Sequence, residues 1–163
     1  MTTTDVAKDH LVTSDFDFLD GEWTCRNRRL HKPLAGSTEW DEFPGTVSFR
    51  HVIGGVANVD ELIAPSRGIA GLTVRTFDIE RQEWSIFWVN QRNGRMEPPV
   101  VGRFVDGVGV FVGPDVYEGT PITVRFRWDT TGEHPRWEQA FSTDGGETWE
   151  TNWTADFTRA EQG

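Results

Sequence analysis

Hydrophobic and polar residues alternate with a period of two through most of the chain, and no stretch keeps the 3.6-residue period of a long helix. From Glu22 to Leu30, Trp23, Cys25, Asn27 and Arg29 alternate with Thr24, Arg26 and Arg28, which predicts a strand with polar groups on its tryptophan face. Thr38 to Ile53 is β-rich and predicts a strand broken or bulged at Pro44-Gly45. Further strands are expected over Val56–Ile63, Ile69–Ile79 and Trp84–Asn90, the last apolar on both faces. Asp106-Gly107 between Val100–Val105 and Val108–Val112 is the strongest hairpin signal. Pro121–Trp128, Arg136–Phe141 and Trp149–Phe157 complete a series of about ten short strands.

Such a series, with mostly short connections, predicts an all-β fold, an antiparallel up-and-down barrel. Closing the sheet removes its edges. Ahead of the first strand, Ser14 or Asp15 can cap a helical turn through Phe16, Phe18 and Leu19 that ends at Gly21, a short N-terminal lid. Met1 to Thr13 lacks periodicity and reads as a flexible tail, leaving residues 14–160 as a single barrel domain.

Composition sharpens this. Eight Trp and eleven Phe in 163 residues are enough large rings to hold a small β domain with few positions. The formal net charge of -10 argues against a nucleic-acid binder, which needs a basic footprint, and against docking to anionic lipid. Cys25 is the only cysteine, so no internal disulfide and no Cys-rich metal site is expected, and it reads as a small buried filler. No run approaches the roughly 20 apolar residues of a membrane helix, and cytoplasmic residence is the default expectation.

Gly21-Glu22-Trp23 after an apolar turn is similar to the Gly-x-Trp signature of lipocalins and the wider calycin superfamily. That resemblance implies an Arg of the last strand stacked on the Trp, and Arg159 stands where it would be expected. Residues 16–23, 84–90, 102–107 and 136–142 together resemble an uncharacterised bacterial family of lipocalin-like proteins. The resemblance implies a calycin-like barrel and says nothing about chemistry.

Ser142-Thr143-Asp144-Gly145-Gly146-Glu147-Thr148-Trp149 matches the Asp-box pattern of sialidase-type propeller blades. It occurs once, and a propeller needs at least about four blades, so it is expected to be a rigid hairpin turn. Pairing Phe141 with Trp149 across that turn sets Trp137 against Trp153 and Glu138 against Asn152, with Arg125 beside Glu138. If that polar face points inward, Arg125, Glu138 and Asn152 would anchor a polar ligand group, joined by Asn27 and Arg29. If it points outward, these are ordinary cross-strand pairs. Trp40, Trp84, Trp88 and Trp128, with Asn90, are candidate walls of a cavity for a flat apolar or aromatic ligand. Glu42, His51, Asp60 and Glu61 lie on adjacent expected strands, where a His and a carboxylate could provide a general base. No metal-ligand spacing is present.

Three functions follow from this reading. The first is a carrier or sensor-like barrel for a small hydrophobic molecule, with no cofactor. The second is an enzyme using the barrel as a reaction chamber for a hydrophobic metabolite, a cyclase, isomerase or hydrolase, with Glu138, His51 or Glu61 as the catalytic group. The third is a filled structural or oligomerising module, for which a homodimer is one form. Haem bound through His51, His31 or His134 is a further alternative.

Overall fold

The structure, a computed structural model, describes residues 13–160. Its strands are β1 (Gly21–Leu30), β2 (Trp40–Val52), β3 (Ala57–Ala64), β4 (Ile69–Asp78), β5 (Glu83–Asn90), β6 (Val100–Val105), β7 (Val108–Tyr117), β8 (Thr120–Asp129), β9 (Arg136–Ser142) and β10 (Glu150–Arg159). Each pairs antiparallel with its neighbour in the chain, and β10 returns to pair with β1. The ten strands thus form a closed up-and-down barrel without an open edge. No helix among the described residues is long and apolar enough to cross a membrane. All but Thr13 of the expected tail lies outside those residues.

Trp23 and Arg159 face each other across the β1–β10 seam, with the guanidinium 4.3 Å from the indole centroid. Such a stack contributes about 0.5–2 kcal/mol. The same two side chains hold the segment that enters the barrel. Trp23 Nε1 donates to Leu19 O at 2.8 Å, and Arg159 Nη1 donates to Asp20 O at 2.6 Å. Among the described residues the expected helical lid is only a single 3₁₀ turn, Asp17–Leu19. No side chain caps that turn, and Gly21, at φ 103°, swings the chain straight into β1. A Cβ at Gly21 would also stand 3.2 Å from Arg159 Nη1.

The turn delivers apolar side chains into one end of the barrel. Phe16 packs edge-on against Trp84 (4.8 Å between centroids) and Phe104 (5.2 Å), and Phe18 meets Trp128 at 5.5 Å. Phe16, Leu19, Trp84 and Phe111 are fully buried there. Trp84 Nε1 finds an acceptor in Asp15 Oδ2 at 3.0 Å, so its burial leaves no orphaned donor.

Three local expectations change. β2 runs unbroken through Pro44-Gly45, because Pro44 sits on the outer face while Gly45 pairs with Cys25 inside. β7 continues past Val112 to Tyr117. In the β9–β10 hairpin, a register shift between Thr151 and Trp153 sets Trp137 against Ala155 and Glu138 against Thr154, so neither Trp137–Trp153 nor Glu138–Asn152 is a direct pair. On the other side of β9, Glu138 faces Arg127 and Arg125 faces Ala140. The Asp-box residues do form a rigid turn: Asp144 accepts the backbone N–H groups of Glu147 and Thr148 and the Thr148 hydroxyl. These bonds hold its carboxyl well below the usual carboxylate range.

Candidate functional site

Above the packed end the barrel is hollow. A cavity of about 310 Å³ occupies its other half, at the lower end of the range for small-molecule sites. Its walls are largely aromatic: Trp88 from β5, Phe126 and Trp128 from β8, Trp137 and Phe141 from β9, and Trp153 from β10. Trp137 and Trp153 meet edge to face at 5.7 Å. Gly71 of β4 makes room for one wall, since a Cβ there would fall 2.0 Å from the Trp88 ring. Trp88 is paired with Thr73 on that strand, and its indole lies back across the glycine instead of filling the lumen.

The floor of the cavity holds a buried ion pair. Arg75 Nη2 lies 2.7 Å from Asp60 Oδ2, with the two side chains only 3% and 7% exposed. Arg75 Nη1 donates to Asn58 Oδ1 at 2.9 Å. The guanidinium also stands 4.8 Å from the Phe16 ring centroid, so it separates the cavity from the packed end. Burial of two charges is repaid only by close pairing and added hydrogen bonds, and both are present. Arg75 Nε and Asn58 Nδ2 have no hydrogen-bond partner among the described residues.

A second polar string runs along β1. Trp153 Nε1 donates to Asn27 Oδ1 at 3.1 Å, and Asn27 Nδ2 donates to Cys25 Sγ at 3.3 Å. Burial pushes the Cys25 thiol up to about 11; the nearby Asp60 adds to this, while the Asn27 and Gly45 contacts oppose it. Cys25 is therefore a neutral filler of the cavity wall and a poor nucleophile.

The mouth carries carboxylates. Glu97 is fixed beside the wall by its own N–H, which donates to Trp88 O at 2.9 Å. The strand that follows it presses on β7, and a Cβ at Gly113 would lie 2.2 Å from Pro99 O. Glu97 and Asp115 both line the opening. Lost hydration raises the Glu97 carboxyl above its ordinary value, and the charge of Asp115 raises it further. Elsewhere at this end Arg29 sits over Trp153 and Phe43, at 5.3 and 5.5 Å from their centroids, behind the cavity wall. Burial lowers its pKa, partly offset by Asp41.

The candidate residues divide by parity. Trp88, Asn90 and Trp128 line the cavity. Trp84 is inward but lies in the packed end, against Phe16 and Phe77. His51 is also at that end, away from the cavity, with Nε2 3.3 Å from Asp17 Oδ1 and its ring edge-on to Phe49. Trp40 lies outside, under the Arg28 guanidinium. Arg125 points out over Trp149 at 4.5 Å, and Glu138 points out to Arg136, 3.1 Å away. Glu61 is exposed opposite Ser48, and Glu42 pairs with Arg26 and Arg28 on the outer surface. Asn152, at the register shift, is buried behind the wall, where it accepts a bond from Gln139 Nε2 at 2.9 Å. The polar face of β8–β10 is therefore the outer one, and the proposed Arg125–Glu138–Asn152 anchor is not assembled.

Sequence reasoning missed Arg75 altogether and weighed Asp60 only beside His51. The signal was inverted. On β3 and β4 several outward residues are themselves apolar (Val59, Ile63, Leu72, Val74), so Asn58, Asp60 and Arg75 have the parity of a solvent face.

No protein-family model matches the chain, and a search of curated proteins returns no match. Among solved structures, the barrel is similar to the S-type phycobiliprotein lyase CPES from Guillardia theta, with a TM-score of 0.59 at 10% identity over 100% of both chains. At that identity the likeness shows a shared barrel fold.

Proposed function

We propose that this protein binds a small, flat, apolar or aromatic molecule inside the open half of the barrel, as a carrier or sensor-like module. The observation that carries the reading is the cavity of about 310 Å³ with Trp88, Trp137 and Trp153 in its wall. Rings on several sides favour a planar guest, which gains edge and face contacts that a branched chain cannot make. A volume at the low end of ligand sites suits one to three fused rings. That a phycobiliprotein lyase is built on the same barrel adds weight to a small-molecule role without naming the molecule.

Nothing favours the reaction-chamber reading over binding. Of the three groups nominated for catalysis, Glu138 and Glu61 face solvent and His51 is engaged at the packed end. None of His51, His31 and His134 lines the cavity, so nothing favours a haem reading.

Titration with a panel of one- to three-ring aromatic compounds, followed by intrinsic tryptophan fluorescence, tests the proposal. Saturable quenching by at least one member at micromolar concentration is expected. Absence of quenching across the panel, with the fold intact by circular dichroism, would overturn it.

A further inference from the structure

The two ends of the cavity differ in charge. At the mouth, Glu97 on the segment leading into β6 and Asp115 on β7 both line the cavity, and the two stretches run in close contact at Gly113. Among the described residues, neither carboxylate has a cation within salt-bridge distance. Like charges that line one cavity without a counter-ion favour a cationic guest. The depth of the cavity adds no compensating positive charge, because Arg75 is already paired with Asp60. The lining therefore carries an excess of negative charge from Glu97 and Asp115.

The lining suits an organic cation better than a metal ion. No group of three or more His, Cys, Asp or Glu side chains among the described residues could hold a metal ion. Aromatic side chains line the same cavity, Trp88, Tyr117 and Phe141 among them. Aromatic faces attract organic ammonium groups through their quadrupole and offer nothing to a hard metal ion. At the inner end the need is reversed. Arg75 Nε is a donor on a side chain 3% exposed, with no acceptor among the described residues.

We propose that the ligand of this cavity is a cationic aromatic amine, with its ammonium group between Glu97 and Asp115 and a hydrogen-bond acceptor, if it has one, toward Arg75. This rests on the cavity being a binding site and specifies its class of guest.

The test uses isothermal titration calorimetry at pH 7.5 with three probes sharing one ring system: 1-naphthylmethylammonium, 1-naphthylmethanol and 1-naphthylacetate. The ammonium should bind about tenfold more tightly than the alcohol, and the acetate most weakly. The double variant Glu97→Gln, Asp115→Asn should lose about tenfold for the ammonium and change less than about twofold for the alcohol. Raising salt to about 0.5 M should narrow the gap between ammonium and alcohol in the natural protein only. Equal affinities for the three probes, or equal losses for ammonium and alcohol in the double variant, would overturn the cation preference and leave the cavity as a general aromatic site. Failure of all three probes to bind would remove the binding site itself, and the cation proposal with it.

Discussion

At the closed end of the barrel, Phe16 stands within 4.8–6.3 Å of four other rings, those of Trp84, Phe104, Phe18 and Phe111. At the open end, Trp88, Trp137 and Trp153 are just as large, yet they leave about 310 Å³ between them. The two regions share one ring chemistry and differ in one contribution: a segment from outside the sheet is inserted into the first, and among the described residues none enters the second. A ten-stranded barrel is wide enough that its own inward side chains do not fill it. The 3₁₀ turn fills one half, and the other half is left for a guest. Arg75 and Asp60 mark the boundary between them.

Truncations should separate the halves. Phe16→Ala removes a fully buried ring from the packed end and should cost about 3–5 kcal/mol in denaturant unfolding. Trp88→Ala, on the cavity wall, should cost under about 2 kcal/mol and weaken binding of an aromatic probe instead. Equal stability losses would mean that the open half is as tightly packed as the closed one. At the boundary, Asp60→Asn leaves the Arg75 charge buried without its counter-ion and should cost about 3–5 kcal/mol. The double change Asp60→Leu, Arg75→Met should recover most of that loss, and a failure to recover would show that the pair does more than neutralise itself.

Cys25 reports on the same boundary through pH. Its thiol titrates at about 11 in the folded protein against an ordinary value of 9.0, so the folded state keeps a proton that the unfolded state gives up. The contribution to stability is complete below pH 9 and is lost as pH rises from 9 to 11, by about 2–3 kcal/mol. Cys25→Ala should flatten that alkaline decline, and the natural thiol should react with alkylating reagents at pH 8 far more slowly than a free thiol. The smallest effect belongs to the seam: Arg159→Ala should cost about 1–2 kcal/mol by removing the stack on Trp23 and the bond to Asp20 O, with probe affinity unchanged.

The barrel was legible because most strands keep a period of two, and because the Trp23–Arg159 contact joins residues near opposite ends of the chain in a recognisable pattern. The lid was misjudged in kind, since the apolar Phe16, Phe18 and Leu19 were visible but a three-residue turn has no helical period. The cavity was half legible. Trp88, Asn90 and Trp128 were recognisable as candidate wall residues, whereas the facing of Arg125 and Glu138 was left open, and the shift in β10 takes Asn152 off their face. Asp60 and Arg75 were obscured by the apolar outer faces of β3 and β4, where a hydrophobic pattern marks the outside of the barrel. Parity tells which residues share a face, and only an independent contact tells which face is in.

Indole N–H resonances offer the most direct test of a barrel filled at one end and hollow at the other. The chain has eight tryptophans, placed in the cavity wall, the packed end and the outer surface. Titration of ¹⁵N-labelled protein with 1-naphthylmethanol should shift the signals of Trp88, Trp137 and Trp153 while those of Trp23, Trp84, Trp40 and Trp149 stay in place. Shifts at Trp84 or the outer tryptophans with the wall signals unmoved, or no shift at any of them, would contradict the account.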